Sequence, residues 1–205
     1  MRRGISWPEV RPSRAAEIYD EMLSVRRAFC ADRDFFKMTD FWKELVDDQG
    51  SVSINLFRFG NGSDYPKKAA VIVFGGRVTL TADSKLWENA VRGSYIDNFI
   101  LAHEAGHVQL DHHARGAVNK HFELYKGEAG FAIRPPTLEE EEANLAAVFL
   151  QCGTALEDYR IASSDLAYRA FTDRTYVDRA RRFVPLSAFK RNLRRSKPRA
   201  MRIIL

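Results

Sequence analysis

An α+β domain, with helices around a small and mostly antiparallel sheet, is the fold class this sequence predicts. Three observations carry it: apolar residues at helical spacing ahead of Gly50, three short alternating or continuously apolar segments between Val52 and Thr81, and a return to helical spacing from Ser84 onward. At 205 residues and 45% hydrophobic content, the chain is long enough for one well-packed core.

The first helix is expected behind Ser13 as its cap, with Ile18, Met22, Val25 and Phe29 on one face. A second, over about Thr39 to Val46, carries Phe41, Trp42 and Leu45. Strands follow at Val52 to Leu56 and Arg77 to Thr81, which alternate, and at Ala69 to Phe74, which is apolar throughout; Gly60 to Asp64 and Gly75-Gly76 read as the turns between them. Asp97 or Asn98 can cap the helix that runs through Phe99 to His103, whose small residues Ala102, Ala105 and Gly106 let it lie close under the sheet. After Pro135-Pro136, Thr137 opens a helix from Leu138 to Gln151 that Gly153 ends, and residues 154 to about 183 are helical again.

The net charge of +5 conceals an asymmetry. Residues 179–205 hold ten Lys and Arg and no acid; removing those ten from 32 leaves 22 bases against 27 acids, so the body is acidic by five. A basic tail of this kind can meet nucleic acid or an acidic partner, but it has no aromatic stacking array, and the acidic body argues against nucleic acid as the main partner. Cys30 and Cys152 have no CxxC spacing, which indicates neither a disulfide framework nor a cysteine zinc site. No stretch approaches a membrane span and no apolar run follows the basic residues at the start, so a cytoplasmic location is expected.

His103-Glu104-Ala105-Gly106-His107 carries the chemistry. Residues four apart on a helix share a face, so both imidazoles can reach one zinc ion while Glu104 reaches a water bound to it. A hydrolytic zinc takes a third protein ligand and keeps one position open. His113 stands at the spacing of the longer motif that ends in a third histidine, but that motif turns the chain at a glycine where this one has Leu110; on an unbroken helix His113 would be rotated by about 280° from His103. Asp111 would be on the right face but one turn too far along. Glu140, with Asn144 at i+4 to hold a ligand imidazole, is the better chemical solution. The same residues also form a capping box, since Thr137 precedes Glu140 by three and Glu139 to Glu142 all suit a helix N-terminus, so spacing alone leaves the ligand open among the four.

The segment from Asn98 to His107, followed about thirty residues later by Glu140-Glu141-Glu142-Ala143-Asn144-Leu145-Ala146, resembles the paired motifs of the ImmA/IrrE family of zinc metallo-endopeptidases. The resemblance covers roughly residues 50 to 150. It implies a zincin-like domain over 1–178, with a core at about 50–153, ahead of the 179–205 tail. It also implies Zn2+ held by His103, His107 and Glu140, with Glu104 as general base. The expected substrate is a protein, and members of the family cleave helix-turn-helix repressors; none is legible here, so a repressor would come in trans. The sequence departs from the family pattern at Asp111 and at Phe149 to Cys152, which bears on the shape of the cleft. A zinc-containing binding protein without turnover and a nucleic-acid-binding protein acting through the tail are the alternatives. Glu104 argues against the first, because a structural site has no use for that acid. His112, His113 and His121 read as exposed helix-end residues, and His121, Tyr125 and Tyr159 are candidates for an oxyanion donor.

Overall fold

The computed structural model describes residues 9–30, 34–46, 50–58, 68–113, 120–123 and 137–185. Helix α1 (Pro12–Phe29) opens with proline, whose fixed φ and missing N–H suit a first turn; Arg11, not Ser13, holds the N-cap position. Ile18, Tyr19, Met22 and Leu23 are buried along its inner face. In α2 (Met38–Leu45) Phe41 and Trp42 turn inward, and the Trp42 indole donates to the Leu101 carbonyl at 3.0 Å.

Four strands, β1 (Val52–Phe57), β2 (Lys68–Phe74), β3 (Arg77–Asp83) and β4 (Lys120–Glu123), form one mixed sheet in the order β1-β3-β2-β4. Gly75 and Gly76 close the β2–β3 hairpin at φ 57 and 77, the doubly positive φ that a two-residue turn matching strand twist demands. β2 is antiparallel to both neighbours, whereas β1 runs parallel to β3. The sheet is therefore mostly antiparallel, as expected. β3 is paired on both sides, so Val78 to Thr81 is not an edge open to an extended peptide. The turn expected at Gly60 to Asp64 lies outside the described residues.

Asp83 caps α3 (Ser84–Val91) by accepting from the Lys85 and Leu86 N–H groups. The cap of α4 (Tyr95–Gln109) is Ser94, which displaces Asp97 and Asn98 from the role the sequence offered them. Asn98 instead joins three helices: its Oδ1 accepts from Met38 N at 2.8 Å, and its Nδ2 donates to the Ala90 and Ser94 carbonyls at 2.9 Å. Thr137 caps α5 (Leu138–Cys152), and Gly153, at φ 53, ends it.

α4 packs against β2 and against α5, while α1 covers α5 from another side. A short 3-10 segment (Gly153–Glu157), α6 (Ser163–Arg169) and α7 (Arg174–Arg181) complete the described fold. Val177 and Ala180 are buried and Val184 is 1% exposed, so the packed body runs past residue 178, where the tail was expected to begin. Arg179 and Arg181 are structural here: one pairs with Glu141, the other donates to the Asp158 and Ile161 carbonyls. The rest of the expected tail, from Lys190, lies outside the described residues. No helix among the described residues is long and apolar enough to cross a membrane.

Candidate metal centre

The centre is built where α4 and α5 come closest. Gly106 makes the approach possible, because a Cβ there would stand 2.9 Å from the Ala143 carbonyl oxygen and 3.1 Å from the Ala146 Cβ. With Ala102 and Ala105 on α4 and Ala143, Ala146 and Ala147 on α5, all buried, small residues from both helices let the backbones approach. The sequence had assigned this role toward the sheet; at Gly106 the close neighbour is α5.

His103, Glu104 and His107 are buried to within 1% on α4. The Nε2 atoms of the two histidines lie 3.0 Å apart, and Glu140 reaches them from the first turn of α5, with Oε2 3.0 Å from His103 Nε2 and Oε1 3.5 Å from His107 Nε2. These three residues can hold a metal ion, since a ligand atom from each lies within 4.8 Å of the others. The spacing fits a tetrahedral ion: bonds of about 2.05 Å to nitrogen and oxygen place neighbouring ligand atoms about 3.3 Å apart.

The orientation of His103 fits as well. Its Nδ1 lies 2.9 Å from Asn144 Oδ1, an acceptor only, so Nδ1 carries the proton and Nε2 presents a bare lone pair to the centre. Asn144 is itself buried.

The four glutamates at the start of α5 part company because successive residues turn by about 100°. Glu140 meets the histidines, Glu141 meets Arg179 at 2.7 Å, and Glu142 meets both Arg14 at 3.1 Å and His112 at 3.3 Å. The capping reading and the ligand reading of Glu140 hold together: its backbone N–H donates to Thr137 Oγ1 at 3.3 Å while its side chain turns to the imidazoles. Glu141 is buried and its carboxyl is raised by that burial in spite of Arg179. Tyr176 of α7 stacks on Phe99, one turn before His103, at 5.0 Å, and burial followed by the Glu141 charge pushes its phenol up to about 12.

Beyond the motif the chain departs from expectation. α4 ends at Gln109, and Asp111 adopts φ 52, a left-handed conformation that aspartate tolerates better than most residues. The reversal expected of a glycine thus comes from Asp111, which is exposed and is not a ligand. The turn folds His112 and His113 back against the helix, and both are buried, contrary to the reading of them as exposed ends. His113 sets its ring 6.2 Å from that of His107 without joining the converging ligand atoms. His112 places Nδ1 2.9 Å from His107 Nδ1. Burial lowers the pKa of the His112 imidazole from its ordinary value.

Sequence reasoning missed His112 and Arg14 as neighbours of the centre and offered Glu142 only as one of four possible ligands; the i+5 spacing of His112 from His107 signals contact only once the turn at Asp111 is known. Among the oxyanion candidates, Tyr159 is exposed and donates to the Arg181 carbonyl at 3.1 Å, Tyr125 lies outside the described residues, and His121 belongs to β4.

Comparison with protein-family models, with curated proteins and with solved structures returns no match.

Proposed function

We propose that this chain is a zinc-dependent endopeptidase of the ImmA/IrrE type, acting in the cytoplasm on a protein substrate. A helix-turn-helix repressor supplied in trans is the class favoured by the motif resemblance. The observation that carries the reading is the convergence of His103 Nε2, His107 Nε2 and the Glu140 carboxylate, with Glu104 buried on the same helix as the two histidines. Two imidazoles and one carboxylate make a mixed nitrogen and oxygen set that suits zinc in hydrolytic sites, whereas magnesium and calcium prefer oxygen throughout.

Zinc, when bound, would lower the pKa of a coordinated water and polarise a peptide carbonyl. Glu104 would take a proton from the attacking water and return it to the leaving amine, the two transfers that peptide hydrolysis needs from one carboxylate. His103 and His107 hold their Nε2 lone pairs toward the centre, and Asn144 fixes the first of them by accepting its Nδ1 proton. Their burial keeps bulk water from competing for those lone pairs.

The test is a proteomic comparison of cells carrying the wild type with cells carrying Glu104→Gln. A substrate that stays intact only in the variant, and is cut by purified zinc-loaded wild type, supports the reading. Identical proteomes, with zinc bound by both proteins, would leave a metal-binding protein without turnover.

A further inference from the structure

Behind His107, on the side away from Glu140, polar contacts lead out of the centre to the N-terminal helix. His107 Nδ1 lies 2.9 Å from His112 Nδ1, and His112 Nε2 lies 3.3 Å from Glu142 Oε2. Arg14 of α1 grips the same carboxylate with a fork, Nε to Oε1 at 3.3 Å and Nη2 to Oε2 at 3.1 Å. Arg14 also faces Glu17 and Glu21, at 3.7 and 3.6 Å.

The chemistry of these groups gives the chain one direction. Glu142 is acceptor only and Arg14 donor only, so His112 must present its proton on Nε2 to the carboxylate. A neutral imidazole has one proton, which leaves His112 Nδ1 as a bare acceptor facing His107 Nδ1. His107 therefore carries its proton on Nδ1, and Nε2 is left with the lone pair that a metal needs. The opposite arrangement would set a lone pair of His112 against the Glu142 carboxylate and a proton of His107 into the centre.

We propose that His112, Glu142 and Arg14 are positioning residues that select the metal-binding tautomer of His107, and that metal affinity is thereby coupled to the docking of α1 on α5. This rests on the metal-centre reading and is independent of peptide hydrolysis. Asn144 performs the corresponding service for His103 through one residue. For His107 the same end is reached through two side chains and an arginine that lies 128 residues before Glu142 in sequence.

The experiment measures zinc affinity of the full chain by competition with a chromogenic chelator, for wild type, His112→Leu, His112→Asn, Glu142→Met and Arg14→Met. His112→Leu should weaken binding by about 10-fold to 100-fold, the range for loss of an outer hydrogen-bond partner of a ligand histidine. His112→Asn should recover most of that loss, because its Oδ1 takes roughly the place of the Nδ1 acceptor. Glu142→Met and Arg14→Met should weaken binding in that order, and they carry the test if His112→Leu does not fold. In zinc-loaded wild type, nitrogen-15 NMR should show a coupling across the His107–His112 hydrogen bond with the proton on His107. Wild-type affinity in His112→Leu and Glu142→Met, or a proton residing on His112 Nδ1, overturns the proposal while leaving the metal centre standing. Failure of the wild type to bind zinc overturns both.

Discussion

The carbonyl oxygen of Ala143 stands where a side chain on Gly106 would begin, with an added Cβ reaching to 2.9 Å of it. A backbone atom cannot rotate aside, so Gly106→Ala has to push α4 and α5 apart. Helix propensity favours alanine by about 1 kcal/mol, and overpacking opposes it by about 1–3 kcal/mol. The variant should melt below the wild type and lose zinc affinity as well, because the separation moves Glu140 from the histidines. Equal melting and equal affinity would mean that the helices have room to spare.

Zinc content should depend on the three converging residues and on the amide that orients one of them. His103→Ala and His107→Ala should abolish stoichiometric zinc, and Glu140→Ala should weaken it strongly. Asn144→Ala should cost about 10-fold to 100-fold in affinity with the fold retained. Metal analysis and circular dichroism read both quantities. Full affinity in Glu140→Ala would reduce that residue to its capping role at Thr137, and unchanged affinity in Asn144→Ala would make the contact with His103 a packing contact.

Glu104→Gln keeps the side-chain volume and removes the carboxylate proposed as the base. Zinc should remain bound, and kcat on an identified substrate should fall by about 10² or more. A variant that cleaves at the wild-type rate would exclude Glu104 as the proton acceptor.

Loss of Arg179 should destabilise the protein in a pH-dependent way. Glu141 is 1% exposed, and Arg179→Ala strands its charge. Because Arg179 itself is about one-third exposed, the expected loss at neutral pH is about 1–3 kcal/mol, between the values for surface and fully buried pairs. The sign follows from the carboxyl, already raised by burial and raised further without its partner. A raised carboxyl binds a proton in the folded state that the unfolded chain has given up above about pH 4.3, so its cost grows as pH rises and fades in acid. Melts at pH 5 and pH 8 should show the deficit shrinking at the lower pH; a deficit independent of pH would attribute the effect to lost packing alone.

What was legible in the sequence is what short-range geometry governs. His103 and His107 share a helix face whatever surrounds them, and so do Glu140 and Asn144, which is why the structure brings these four together. The strands at Val52, Ala69 and Arg77 announced themselves by their alternation or apolar run. Their order did not, because β1 reaches the far side of β3 by a parallel pairing that no local pattern encodes. The cap of α4 was misassigned because Ser94, Asp97 and Asn98 all satisfy the same rule within five positions. His112 was illegible for a different reason: its burial depends on the left-handed turn at Asp111 and on α5 arriving with Glu142, which are tertiary facts.

The way α1 is secured also fixes when the protein can mature. Arg26 donates to the Leu150 and Gln151 carbonyls, and the Tyr19 hydroxyl donates to Glu157 at 2.9 Å, from 138 residues away. During synthesis α1 is made well before α5, so the apolar face of Ile18, Met22 and Leu23 lacks that cover until α5 has emerged. The histidines of α4 likewise wait for Glu140. The three converging residues therefore come together only once α5 has been made, and until then α4 carries two of them without the third.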